Sequence, residues 1–291
     1  MEELKIKAYA KINLTLDVLG KRADGYHELE TIMQTIDLAD VLTFKEISQG
    51  IQIISTSPEI PTDERNLAYQ AAMLIMERGK INKGIQITLE KNIPVAAGLA
   101  GGSTDAAATL TGLNDFWGLG ISMEELWGMA AKLGSDVAFC LQGGTCLAKG
   151  RGEILESLAS PPPLWLVLLK PPVAVSTAKV YQGLILDQVK ARPDNSAMIK
   201  ALQRGSLEEI AENLINVLET VTLRMHPALI EIKEQMKSLG ASGVLMSGSG
   251  PTIFALTSTR EKAEAIAREM KKNWQEVVVT TTISSLGKRE L

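Results

Sequence analysis

Apolar and polar side chains alternate strictly near the start of the chain. Ile12, Leu14, Leu16 and Val18 take one phase, and Asn13, Thr15 and Asp17 take the other. A period of two predicts a half-buried strand. Asp24-Gly25 supplies turn chemistry after it, and extended segments are expected around Leu29–Ile36, Val41–Ile47 and Ile51–Ser55. The rhythm then changes: Leu67, Ala71, Leu74 and Ile75 fall on one face of a helix that ends at Gly79, a residue suited to the position just past a helix. "GIQITLE" alternates again as a strand and leads into "PVAAGLAGGSTDAAA", a glycine loop with a helix expected from Ser103 onward. "SMEELWGMAAKLG" predicts a second helix, capped by Ser122 with Glu125 at the capping-box position. "GGTCLAKGRGE" reads as a strand and turn.

Pro161–Pro163 marks a domain junction, which divides the chain into residues 1–160 and 161–291. The strand "LWLVLLK" follows, then helical segments around Ser176–Ile185, Ser196–Gln203, Leu207–Leu218 and Pro227–Leu239. "SGVLMSGSGPTIFAL" reads as strand, glycine loop and strand, "TREKAEAIAREMKKNW" as an amphipathic helix, and "EVVVTTTI" as a closing strand. Strands and helices mix without a regular βαβ rhythm, which predicts an α+β class in two domains.

Composition narrows the function. The 291 residues are 45% hydrophobic and 22% charged, ordinary for a globular protein, with a net charge of -4. No broad basic field is available for a nucleic-acid backbone. The opening segment alternates and carries charge where a signal peptide would be apolar, and "PPPLWLVLLKPPVAV" is too short and too broken to span a bilayer. Cytoplasmic localisation is expected, as monomer or homodimer. Two cysteines, Cys140 and Cys146, read as small buried hydrophobes, and two histidines cannot build a multi-histidine metal centre.

Gly98, Gly101 and Gly102 lie between a strand and a helix, where backbone N–H groups and the helix dipole favour an anion. A structural turn is the competing reading, since glycine loops often only reverse the chain. Neither the Walker A spacing nor G-x-G-x-x-G is present. The later "SGSGP", Ser247–Pro251, is by itself a hairpin turn.

Taken in order, "KINLTLDVLGKRADGYHEL", "PVAAGLAGGSTDAAA" and "GASGVLMSGSGPTIFAL" resemble the GHMP kinases of small molecules. "LGSDVAFCLQGGTCLAKGRGE" is similar to the branch whose acceptor is a cytidine diphosphate-linked methylerythritol of the non-mevalonate isoprenoid route. The resemblance spans about Tyr9 to Phe254 and is weakest between Pro172 and Leu239. It implies a ribosomal-protein S5 domain 2-like N-terminal domain, a ferredoxin-like C-terminal domain and an active site between them. It also implies transfer of the ATP γ-phosphoryl group to a 2-hydroxyl, with Mg2+. Homoserine- or mevalonate-type kinases and a non-catalytic nucleotide- or RNA-binding module are the rivals.

The resemblance carries Lys11 and Asp136 over as catalytic residues, where residue type alone would suggest an exposed strand lysine and a helix cap. It implies ATP phosphate contacts along Pro94, Val95, Ala96, Ala97 and Gly98, continuing through Leu99, Ala100, Gly101, Gly102, Ser103 and Thr104. Ser103 is the nearest hydroxyl for a magnesium ion. Asn13 shares a strand face with Lys11 and is implied to contact the acceptor. Tyr26, as a stacking face, and His27, as a hydrogen-bonding edge, are implied for cytosine, with Tyr181 as a candidate for the opposite face. Asp105 is left between a helix cap and a metal contact, and His226 between a structural and an exposed role.

Overall fold

The computed structural model describes residues 3–287; the first two residues and the last four of the expected domains lie outside this range. The opening alternation belongs to a long strand, β1 (Glu3–Lys21), paired antiparallel with β2 (His27–Ile47). The two extended segments expected around Leu29–Ile36 and Val41–Ile47 are thus one strand, because register slips let it bend without breaking. One slip falls between Tyr9 and Lys11 and another between Asn13 and Thr15, flanking the positions of chemical interest.

The first half continues with β3 (Ile51–Ser55), α1 (Leu67–Gly79), β4 (Gly84–Glu90), α2 (Gly101–Phe116), α3 (Met123–Leu133), α4 (Ser135–Gln142), β5 (Thr145–Gly150) and β6 (Ile154–Ser157). Helix α2 starts two residues earlier than expected, at Gly101. Gly79 is the last residue of α1, and Lys80 takes the left-handed position past it. Close packing explains the glycine: a Cβ at position 79 would meet Leu119 Cδ1 at 2.9 Å. Ser122 caps α3 as expected, and the Glu125 carboxylate reaches both Arg78 of α1, at 2.8 Å, and the Ser122 backbone N–H, the two together lowering its pKa. Helix α4 is not visible in the hydrophobic pattern.

The second half comprises β7 (Trp165–Lys170), α5 (Thr177–Gln182), α6 (Asn195–Arg204), α7 (Leu207–Glu212), β8 (Ile215–Asn216), α8 (Glu219–Met225), α9 (Ala228–Ser238), β9 (Gly243–Met246), β10 (Ile253–Thr257), α10 (Arg260–Met270) and β11 (Glu276–Thr281). The helix expected over Ser176–Ile185 is shorter, with Ser176 as its cap. The one expected over Leu207–Leu218 ends at Glu212, because Ile215 and Asn216 pair with Thr15 and Leu16 of β1. Tertiary pairing overrides the local helical pattern there.

Two sheets result. One runs β3-β4-β2-β1-β8, with β5 and β6 branching from β2; the other runs β11-β7-β10-β9 in antiparallel pairs. Numbered within the second half, that order is the ferredoxin-like arrangement, with extra helices between its first two strands.

Strand β1 is sandwiched. Ala10, Ile12 and Leu14 share a core with Leu166, Leu168 and Phe254, and Leu16 and Val18 pack with Val167 and Leu169. The polar phase expected to face solvent is buried as well: Lys11, Asn13, Thr15 and Asp17 are each below a tenth exposed. Buried polar side chains require partners: Lys11 and Asn13 bond to each other, Thr15 Oγ1 donates to Asn195 Oδ1 at 2.6 Å, and Asp17 accepts from Arg192 at 2.7 Å. Helix α2 closes the other core, on the β1–β2 pair; a Cβ on Gly112 would meet Phe44 at 2.4 Å.

Candidate active site

The glycine loop leaves β4 and turns into α2 through three left-handed residues, Ala96, Gly98 and Ala100, with φ of 51°, 76° and 59°. For alanine this conformation costs energy and persists only where the surroundings hold it. At Ala100 it aims the chain into the helix. The first intrahelical bond runs from Thr104 N–H to the Ala100 carbonyl, at 2.9 Å, leaving the N–H groups of Gly101, Gly102 and Ser103 in the opening turn. No acidic residue occupies that turn to compete for an anion.

The second glycine loop is a hairpin turn, β9 to β10, and it also locks the first. Ser247 Oγ donates to the Gly98 carbonyl at 2.9 Å, and a Cβ on Gly98 would sit 2.4 Å from the Ser247 carbonyl oxygen. The Asn216 side-chain amide, from β8, donates to the Met246 and Gly248 carbonyls at 2.8 and 2.7 Å. The pairing that broke the expected helix thus braces the far wall of the site.

Where the β1 register slips, the Lys11 backbone N–H turns from β2 to the Leu99 carbonyl at 3.1 Å, tying the strand to the loop. Lys11 Nζ donates to Asn13 Oδ1 at 2.8 Å and lies 3.5 Å from Asp136 Oδ2. The lysine is buried, but the Asp136 side chain is 37% exposed. Asn13 Nδ2 donates to Thr31 Oγ1 at 2.8 Å, and the Thr31 hydroxyl donates to the Thr15 carbonyl. With its proton spent on that carbonyl, Thr31 can only accept from Asn13, which orients the amide so that its oxygen meets the ammonium. Asp136 sits in the first turn of α4, where the dipole favours a carboxylate; Gly134, and not Asp136, is the cap.

A cleft of about 330 Å³ runs between these parts. Lys11, Asn13 and Asp136 line it with Pro94, Val95, Ala96, Ala97, Gly98, Ala100, Gly101 and Gly102. Leu99 and Thr104 are buried beneath the loop, and Ser103 is half-buried behind it, outside the lining. Tyr181 lines the cleft, and its ring packs on His27 with centroids 5.0 Å apart. Tyr26, 57% exposed, stands at the rim with Arg151 over its ring at 5.0 Å. Burial lowers the His27 pKa, helped by Lys21, so the imidazole is neutral at pH 7. Burial raises that of Tyr181, with Asp136 adding to the effect.

Sequence reasoning missed a second charged centre beside the loop, where Lys91 lines the cleft. Lys91, buried, forms ion pairs with Asp40 and, at 2.6 Å, with Asp105. Asp40 also accepts the backbone N–H groups of Asn92 and Ile93. Asp105 therefore neither caps α2 nor stands free for a metal. Burial pushes it up to about 7 against the pull of Lys91, with Asp40 pushing the same way. Burial pulls Lys91 down, yet the two carboxylates hold it above its ordinary value. His226 is half-buried at the C-terminal end of α8, and Cys140 and Cys146 are buried.

Among the described residues no cluster of three acidic, histidine or cysteine side chains could cage a metal. Of the oxygen donors near the loop, the Asp136 carboxylate lines the cleft, whereas the Ser103 hydroxyl, expected beside a magnesium ion, lies in the opening turn of α2 outside that lining.

Residues 66–144 match the GHMP kinases N terminal domain, and residues 198–276 match GHMP kinases C terminal. The 4-diphosphocytidyl-2-C-methyl-D-erythritol kinase of Bacillus cytotoxicus is 50% identical over 289 residues, 99% of both chains. That of Exiguobacterium sibiricum is 53% identical over 275 residues, 94% of this chain and 96% of its own. The chain belongs to the 4-diphosphocytidyl-2-C-methyl-D-erythritol kinase family, within the GHMP kinases. A crystal structure of 4-(cytidine 5'-diphospho)-2C-methyl-D-erythritol kinase matches this kinase with a TM-score of 0.84 and 36% identity, covering 96% of this chain and 99% of its own. Homoserine kinase from Cytophaga hutchinsonii shares the kinase fold, with a TM-score of 0.79 at 23% identity over 98% of this chain and 96% of its own. The expected α+β GHMP fold is therefore the observed one.

Proposed function

We propose that this kinase transfers the γ-phosphoryl group of ATP to the 2-hydroxyl of 4-diphosphocytidyl-2-C-methyl-D-erythritol, a step of isoprenoid biosynthesis. The observation that carries the reading is the Lys11–Asp136 pair at 3.5 Å in a cleft walled by the glycine loop, in a chain half identical to kinases of that name.

Phosphoryl transfer asks the protein mainly for positioning and charge neutralisation. The loop's backbone N–H groups and the opening turn of α2 receive the phosphates. Asp136, open to the cleft, accepts the hydroxyl proton as the acceptor O–Pγ bond forms and the bond from Pγ to the bridging oxygen breaks, releasing ADP. Lys11, aimed by Asn13 and Thr31, neutralises the alkoxide and the moving phosphoryl group. Asn13 thus acts chiefly on Lys11, since both ends of its amide are engaged within the protein. Tyr26, His27 and Tyr181 receive the cytosine, the neutral imidazole serving its hydrogen-bonding edge. Ser103, in the opening turn of α2, is the hydroxyl that would hold a magnesium ion carried in on the nucleotide phosphates, and the ion would add to their charge neutralisation. The kinase works as a cytoplasmic enzyme on a small molecule, without nucleic acid or membrane. None of its described helices is long and apolar enough to cross a membrane.

A coupled assay of ADP release with a panel of alcohols tests the reading. Turnover is expected with the cytidine diphosphate acceptor and not with homoserine or mevalonate. Turnover of homoserine alone would replace the proposal with another GHMP activity.

A further inference from the structure

Three cations line the cleft: Lys11, Lys91 and Arg151. Lys11 is held by Asn13 and Asp136, and Lys91 is sealed between two carboxylates. Arg151 is differently placed. It sits on the turn between β5 and β6, one third exposed, and among the described residues its guanidinium makes no hydrogen bond. Among the described residues its one ion pair within 4 Å is with Glu153, at 3.7 Å, and the other Glu153 oxygen is taken by the Arg151 backbone N–H at 2.6 Å. Asp24 lies near enough to feel its charge but does not bond to it. The guanidinium instead lies over the Tyr26 ring.

This is a cation with planar donors unspent, standing between the aromatic rim and the Lys11–Asp136 pair. The acceptor proposed above has the same order: a base, then a diphosphate, then the reacting polyol. When the base binds at the rim and the hydroxyl reaches Asp136, the diphosphate must cross the middle of the cleft. Its charge needs a partner there: Asp24 and Asp136 oppose an anion near Arg151 and Tyr181, and Lys21, which acts on His27, stands at the base's end of the cleft. Arg22, the other arginine of the rim, is engaged by Asp24 and Glu28 at 3.1 and 2.5 Å.

We infer that Arg151 binds the diphosphate of the acceptor, and that it leaves the face of Tyr26 to the cytosine as it does so. A guanidinium presents paired N–H donors matched to phosphate oxygens, so the contact is charge-assisted and directional. Stacking on Tyr26 in the free enzyme keeps the arginine near its bound position. Arg151 thereby sets specificity for a nucleoside diphosphate conjugate over an uncharged polyol. The inference rests on the acceptor reading above.

The test measures binding of cytidine and of cytidine diphosphate to wild type, Arg151→Gln and Arg151→Lys, with the nucleotide site filled by a non-hydrolysable ATP analogue. Wild type is expected to prefer the diphosphate. Arg151→Gln should lose that preference by about tenfold or more, and Arg151→Lys should lose less, because charge survives without the fork. In turnover, Arg151→Gln should raise the KM for the acceptor about 10- to 100-fold and leave the KM for ATP and the unfolding temperature unchanged. A preference for the diphosphate kept within about twofold in Arg151→Gln would overturn the inference and spare the acceptor reading. Failure of wild type to bind either ligand would overturn both.

Discussion

Two buried lysines beside one glycine loop face aspartates, and they are built for different ends. Lys91 is closed in: both its carboxylates are under 5% exposed, and Asp40 is further fixed by two backbone N–H groups. Lys11 is also buried, but its aspartate is 37% exposed and 3.5 Å distant, with an amide holding the lysine in place. The closed centre has every reason to stay as it is. The open one has room for a hydroxyl between carboxylate and ammonium. Burial of a lysine–aspartate pair therefore says little about chemistry; access to the carboxylate says more.

The comparison can be broken at either centre. The largest expected effect is on turnover: Asp136→Asn should lower kcat by about 10²- to 10⁴-fold while the unfolding temperature stays within a few degrees, measured by ADP release and calorimetry. Next is Lys91→Met, which leaves two buried carboxylates unpaired and should cost about 3–5 kcal/mol in denaturant unfolding. A stable Lys91→Met protein with lost turnover would reverse the roles of the two centres.

The smallest effect is a pH dependence. Asp105, about 7 in the folded protein against 3.8 ordinarily, keeps a proton that the unfolded chain has released between those values. The unfolded state then binds fewer protons, so this group makes stability fall as pH rises through that window. Asp105→Asn should remove that part of the slope and raise the unfolding temperature relative to wild type at pH 8 by a few degrees. An unchanged slope would mean that Asp105 is ionised throughout.

Much of this was legible in the sequence, and for identifiable reasons. Glycines and alternation are local signals, so the loop at Pro94–Thr104 and the strand through Lys11 and Asn13 could be read directly. Long-range partnerships left no such trace. Nothing near Lys91 announces Asp40, which is distant in the chain, and Asp105 looks like a helix cap until α2 is docked. The polar phase of β1 read as solvent-facing because its cover, the second half of the chain, is invisible to periodicity. Ile215 and Asn216 sat inside an apparent helix for the same reason. Arg151 was present in "KGRGE", but only the fold puts it beside Tyr26.

The most direct test of the central claim is a double-mutant cycle on the single-turnover rate of phosphoryl transfer, with Lys11→Met and Asp136→Asn singly and together. If the two groups work as one unit on the transferred proton and phosphoryl group, the double variant will be hardly slower than the worse single variant. Rate losses that simply multiply would contradict it, and would leave Lys11 and Asp136 as independent contributors in a cleft whose chemistry lies elsewhere.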